Sequence, residues 1–323
     1  MQKVAEKISD LLDKSIKAQI IPGAGLTLLD EDEISISFRG KMGRRLCHVN
    51  STTLYDLASL TKVVGTTSRL LQLIDEGKLG YETEISEIFP QYPNLRMSIG
   101  QVMLHRAGFI ADFSDKQHFS EQMIWRYLAD FQYRENQPML YSDVDFLLLG
   151  LVIEKLDALD LEESFQKHIF QRLNMQHTSF FPPDPSLCAP TEYSAERGQI
   201  QGIVHDRKAF LLGKPAGHAG LFSSVEDISK FLLNFLEAGI FSKQRLKELK
   251  DTNFDGRSYG WAVYTKAGQL YHTGFTGGLI CIDLNRGRAL GLLSNSIYPS
   301  RSDKRFIAVR RLICDLFFSE RKF

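Results

Sequence analysis

The chain has 323 residues, above the usual size of one compact domain, so its length implies one large domain or two intimately joined ones. Hydrophobic residues make up 43% and charged residues 24%, a mixture able to build a core and unlike that of disordered chains. Thirty-nine Lys plus Arg balance thirty-nine Asp plus Glu, which removes the electrostatic term that nucleic-acid binding depends on.

From the N-terminus, an amphipathic helix is expected over residues 3–18, and its acidic residues Glu6, Asp10 and Asp13 interrupt any secretory apolar run. Pro22-Gly23 then leads into GLTLLD and EISISFRG, two alternating runs joined by an acidic turn, which predict a β-hairpin. A helix follows over residues 59–76, with Val63, Val64, Thr67, Leu70, Leu71 and Ile74 on one face and Gly77 as its stop. Further helices are predicted over 121–130 and 143–171, with Asp143 as the N-cap of the latter. Pro182-Pro183-Asp184-Pro185 opens a loop-rich stretch reaching Gly220. A helix near 225–238 precedes four short strand-like segments, 258–265, 269–274, 278–284 and 288–294, and a last helix covers 303–318. The longest apolar run, Phe146 to Ile153, is far too short to span a bilayer.

The expected fold is therefore α+β. An antiparallel sheet built from both chain ends and flanked by helices carries an inserted, mainly helical subdomain. The corresponding division is 1–99 with 225–323 as the α/β domain and 100–224 as the helical subdomain with its long loop region. Four cysteines, Cys47, Cys188, Cys281 and Cys314, lack both C-x-x-C and zinc-finger spacing, so they read as free thiols in a reducing, cytoplasmic setting.

Several nucleophile signatures compete. Gly256-Arg257-Ser258-Tyr259-Gly260 spells G-x-S-x-G, but that elbow requires a strand before the Ser and a helix after it, and WAVYTKAGQLY reads as strand. S-x-x-K occurs at Ser59-Lys62, Ser164-Lys167 and Ser319-Lys322. Of these only Ser59 opens a helix, where unpaired N–H groups and the dipole favour negative charge. Lys62 lies one turn on, on the same face, and a buried lysine that sheds its proton can serve as base. The alternative for this pair is an N-cap Ser beside a solvated Lys.

The segments YDLASLTK (55–62), Tyr141-Ser142-Asp143 and His272-Thr273-Gly274 occur in the order of three signature elements, and together they resemble the penicillin-recognising serine hydrolases. That family includes class C β-lactamases, DD-peptidases and related esterases. Leu104-His105-Arg106-Ala107-Gly108 and Gly217-His218-Ala219-Gly220-Leu221-Phe222-Ser223 are similar to further segments of the same group. Tyr92-Pro93-Asn94 fits the second element more literally, yet Pro93 places it in a loop behind the first motif.

The resemblance implies an acyl-enzyme on Ser59, with Lys62 and Tyr141 handling the proton and an oxyanion hole from the N–H groups of Ser59 and Phe275. Asp143, His272, Thr273 and Gly274 would bind substrate, an ester, amide or β-lactam that is small or peptide-like. Asp143 stands where relatives more often have Asn, and His272 where they commonly have Lys. An ionised Asp donates no hydrogen bond, and a histidine is a cation only below its pKa, so KM for an anionic substrate should rise between roughly pH 6 and 8. No cofactor or metal is implied, although His205, Asp206 and His218 allow a metal pair, a pocket wall or loop hydrogen bonding. The rival function is a penicillin-binding or sensor-like module that is acylated and turns over slowly.

Overall fold

The computed structural model describes residues 2–30, 33–43, 47–113 and 119–319. Alternating and apolar runs at the two ends of the chain meet in one seven-stranded antiparallel sheet. Its strands are β1 (Gly23–Asp30), β2 (Glu33–Gly40), β3 (Arg257–Ser258), β4 (Trp261–Val263), β5 (Gln269–Thr273), β6 (Leu279–Asp283) and β7 (Arg288–Ser294), in the order β2-β1-β7-β6-β5-β4-β3. The expected hairpin is present in the register Asp30↔Glu33 to Gly23↔Gly40. β1 is buried along nearly its whole length because it lies between β2 and β7, where Ala24 pairs with Ser294 and Asp30 with Arg288.

Helices cover both faces. Those on the sheet are α1 (Gln2–Lys17), α4 (Val225–Leu236) and α5 (Arg305–Phe318), and α2 (Ser68–Asp75) and α3 (Asp143–Asp157) lie between α1 and α4 in the chain. On one face Ile8 and Leu12 of α1 and Phe306, Ile313 and Phe317 of α5 pack on Leu26, Leu28, Leu279, Leu290 and Leu292 of the sheet. On the other, α4 lies over β1 and β7, with Thr27 Oγ1 donating to Ser229 Oγ at 3.0 Å. Gly291 permits this approach, since a Cβ there would meet Ile228 at 2.7 Å.

The expected helix from residue 59 is a continuous but uneven spiral. A tight turn over Ala58–Leu60 widens to π geometry over Lys62–Thr67 and then settles into α2. α3 is buried on every side from Val144 to Ile153, the pattern of a core helix. Fully buried Arg69 ties α2 to the end of α3, reaching Asp157 at 2.7 Å and Glu76 at 2.6 Å.

Three expectations need correction. The helix drawn over 143–171 breaks at Ala158, which adopts φ 52°, and restarts after Asp160, whose side chain accepts from the Glu163 N–H. The N-cap of α3 is Ser142, which accepts from the Val144 N–H at 3.0 Å and leaves Asp143 free for other partners. A helix over Lys243–Asp251 was not anticipated, because KQRLKELKD is almost wholly polar and buries only Leu249. The loop-rich stretch also contains a short hairpin, Glu192–Ser194 with Gly198–Ile200, and a helix, Arg207–Leu212. Among the described residues no helix is long and apolar enough to cross a membrane.

Candidate active site

Ser59 sits where a short strand meets a helix. Tyr55–Asp56 pairs with Phe222–Ser223, and the buried Asp56 carboxylate accepts the N–H of Ala58 at 2.8 Å and of His205 at 2.7 Å. Ala58 is held at φ 46°, a strained value for alanine, and this turn presents Ser59 at the start of the spiral. Lys62, fully buried one turn later, donates to Ser59 Oγ at 3.1 Å, Asp143 Oδ1 at 2.7 Å and the His218 carbonyl at 3.0 Å. Burial alone would lower the lysine, but the Asp143 carboxylate and the Tyr141 hydroxyl reverse that and hold it above the ordinary lysine value. The expected neutral amine is thus corrected: Lys62 is an ammonium whose three hydrogens are all engaged.

Asp143, freed from capping, lies between two lysines. Its Oδ2 accepts from Lys208 at 2.7 Å, and Lys208 also donates to Asp112 at 2.5 Å. Burial works to raise the Asp143 carboxyl, yet Lys62, His218 and Lys208 hold it well below the usual carboxylate range. Asp206 bonds His218 Nε2 at 2.9 Å beside this group, and its carboxyl is likewise lowered against the effect of burial. Tyr141 is ringed by cations and imidazoles. Lys62 Nζ is 5.2 Å and Arg257 Cζ 5.3 Å from the ring centroid, and the rings of His105 and His272 are centred 4.5 Å and 6.3 Å away.

Beyond Tyr141 the end of β5 closes the site. Gly274 lies so near the nucleophile turn that a Cβ would stand 2.6 Å from the Leu57 carbonyl oxygen, and Thr276 Oγ1 donates to the Asp56 carbonyl at 2.7 Å. Thr273 and Phe275 are exposed at this edge, and Phe275 stacks on His205. Among the described residues, the N–H groups of Ser59 and Phe275 donate no hydrogen bond within the chain. His272 is 4% exposed with Nδ1 near the Thr273 carbonyl. Burial first, then Arg257 and Lys62, push it well below the ordinary histidine value, so the expected titrating cation is a neutral ring.

The other candidates fall outside the site. Ser258 is buried at the end of β3 and donates to the Leu249 carbonyl of the helix Lys243–Asp251, and Ser164 bonds Asp157. Tyr92 stacks on Trp125, while Asn94 donates to the Leu128 and Phe131 carbonyls. Asp143, Asp206 and His218 do bring ligand atoms within 4.8 Å of one another, the arrangement of a cation site, but Lys62 and Lys208 already neutralise Asp143 there.

Ser59, Tyr141, Asp143, Lys208 and Phe275 line a cavity of about 410 Å³. A model of the family described as Beta-lactamase matches residues 8–313. The chain belongs to the β-lactamase family. With that family comes the chemistry of a serine hydrolase, and the fold agrees. A protein of Salmonella agona (strain SL483) named "Putative D-alanyl-D-alanine carboxypeptidase" is 29% identical over 76% of this chain and 70% of its own. The structure titled β-lactamase/D-alanine carboxypeptidase from Pseudomonas syringae superposes with a TM-score of 0.79 at 18% identity, covering 99% of this chain and 100% of that one. The octameric penicillin-binding protein homologue from Pyrococcus abyssi gives 0.74 at 19% identity, with 95% and 77% covered.

Proposed function

We propose that Ser59 is the nucleophile of an acyl-transfer hydrolase acting on an ester, amide or β-lactam, with Lys62 orienting and polarising the serine hydroxyl and Tyr141 carrying its proton. One observation carries this reading: Lys62 donates to Ser59 Oγ beside the Tyr141 hydroxyl, on the wall of a cavity large enough for a small substrate. As an ammonium, Lys62 holds the serine oxygen but cannot accept its proton, so Tyr141 acts as its phenolate: the phenolate oxygen takes the Ser59 proton as Ser59 Oγ bonds to the carbonyl carbon, leaving a neutral Tyr141 hydroxyl. The Ser59 and Phe275 N–H groups supply the oxyanion hole, a pair of donors that costs no reorganisation during the reaction. Tyr141 then returns the proton to the leaving group, and water releases the acyl group by the same steps in reverse.

A fluorescent penicillin and a fluorophosphonate test the assignment by peptide mapping of the adduct. Modification of Ser59, abolished in Ser59→Ala, is the expected result. An adduct on Ser258 or Ser164 would remove Ser59 from its role. Turnover of p-nitrophenyl esters, a chromogenic cephalosporin and D-alanyl-D-alanine peptides then orders the three substrate classes, with esterase activity expected on the first.

A further inference from the structure

Arg257 is a cation without a counter-ion. It lies half-buried on β3 with its guanidinium over the Tyr141 ring, and among the described residues no carboxylate lies within ion-pair distance of it and it makes no side-chain hydrogen bond. The groups around it do not neutralise it. Tyr271 and His272 approach from β5, His105 from the turn after the helix Ile99–Met103, Asp145 from α3, and Lys62 from the spiral below. His272 is neutral. His105 Nδ1 accepts from the Ser142 N–H at 3.3 Å and pairs with Asp145 at 2.8 Å. Burial raises Asp145 well above the ordinary carboxylate value, and burial together with Arg257 and Lys62 lowers His105 well below the ordinary histidine value, so both shifts work against charge on that dyad. Asp143 is already held between two lysines. An arginine left unpaired among neutral rings is costly to fold around unless its charge serves the group it faces.

We propose that Arg257 is a positioning residue for Tyr141: its fixed positive charge stabilises the negative charge that the Tyr141 oxygen carries during proton transfer with Ser59. The proposal rests on the reading of Tyr141 given above. The role needs charge rather than a two-pronged hydrogen bond, because no planar partner faces the guanidinium, so lysine should replace it. It also accounts for the neutral His272 on β5, since the cation stands on β3 instead, within 5.3 Å of the same ring.

The test is the pH profile of kcat for a neutral aryl ester read at its isosbestic wavelength. In Arg257→Gln the acid limb should move up by roughly one to two pH units, with kcat at neutral pH falling about 10- to 100-fold and KM little changed. Arg257→Lys should return the limb, and so should His272→Lys added to Arg257→Gln, which restores a cation near the ring from β5. Arg257→Met, which keeps an apolar stem over the ring, carries the test if Arg257→Gln yields no folded protein. An unmoved limb, or a fall in kcat equal at every pH and not returned by lysine, overturns the proposal. Tyr141→Phe is measured alongside. If it keeps wild-type kcat, the reading of Tyr141 fails and this proposal with it; if it is inactive while Arg257→Gln keeps its limb, only the role of Arg257 falls.

Discussion

Lys208→Met removes one of the two ammonium groups that hold Asp143. At 2.7 Å and an effective dielectric of about 20, the lost attraction is about 6 kcal/mol gross. Several kcal/mol of that is offset, because the variant no longer desolvates an ammonium, no longer sets it against Lys62, and fills most of the vacated volume with an apolar stem. Lys62 also remains on Asp143, so the deficit should fall below the 3–5 kcal/mol of a fully orphaned buried charge, at about 2–3 kcal/mol. For a protein of this size that is a drop of roughly 3–4 °C in melting temperature. The sign with pH follows from Asp143. Its folded-state pKa is depressed, so its contribution is present above the unfolded value and lost as pH falls through the folded one. Removing Lys208 lets the folded value climb back toward the ordinary one, so the deficit should be constant over pH 6–8 and narrow below roughly pH 4. Thermal melts of wild type, Lys208→Met, Asp143→Asn and the double variant measure this, and Asp143→Asn should recover at least half of the deficit. A Lys208→Met protein that melts within a degree of wild type, or whose deficit is untouched by Asp143→Asn, refutes the two-lysine account.

Three further outcomes are expected. Lys62→Ala and Tyr141→Phe should each lower kcat on a neutral ester by at least about 100-fold with the far-ultraviolet dichroism unchanged, and near-wild-type turnover in either removes that residue from its role in activating Ser59. Because burial, Arg257 and Lys62 push His272 well below the ordinary histidine value, KM for an anionic and for a neutral ester should follow the same profile over pH 6–8. A rise confined to the anionic ester that disappears in His272→Lys would show that the ring does titrate. Gly274→Ala would place a methyl 2.6 Å from the Leu57 carbonyl oxygen, so β5 or the Ser59 turn must shift, lowering kcat by about 100-fold in a folded protein. Turnover within twofold of wild type would mean that this approach does not set the site.

What the sequence made legible was local. The acidic turn between two alternating runs specified the β1–β2 hairpin, and the spacing of Val63, Val64, Leu70 and Leu71 specified the spiral that carries Ser59 and Lys62. Periodicity failed where it continued across a break: Leu161, Phe165 and Ile169 extend the apolar rhythm of α3, and nothing in it marks Ala158 as left-handed. Charge states were illegible because they depend on distant partners. Lys62 is kept protonated by a residue 81 positions away, and Lys208 reaches Asp143 across 65. Arg257 was masked by the G-x-S-x-G spelling that drew attention to its neighbour Ser258. Its role is visible only once β3 brings it against Tyr141.

The seam between β1 and β7 has a consequence for how the chain comes to be folded in the cell. Gly23 and Ser294, bonded across that seam, are 271 residues apart. On a ribosome adding about 5–20 residues per second, the β1–β2 hairpin waits on the order of tens of seconds before its partner strand emerges. Until then Leu26 and Leu28 on one face of β1, Leu29 on the other, and one whole edge of the strand have nothing to pack or pair with. The hairpin is therefore a segment of the nascent chain that gains from a chaperone covering its open edge. Release of the polypeptide before residue 288 would leave it permanently open to pairing with another copy of itself.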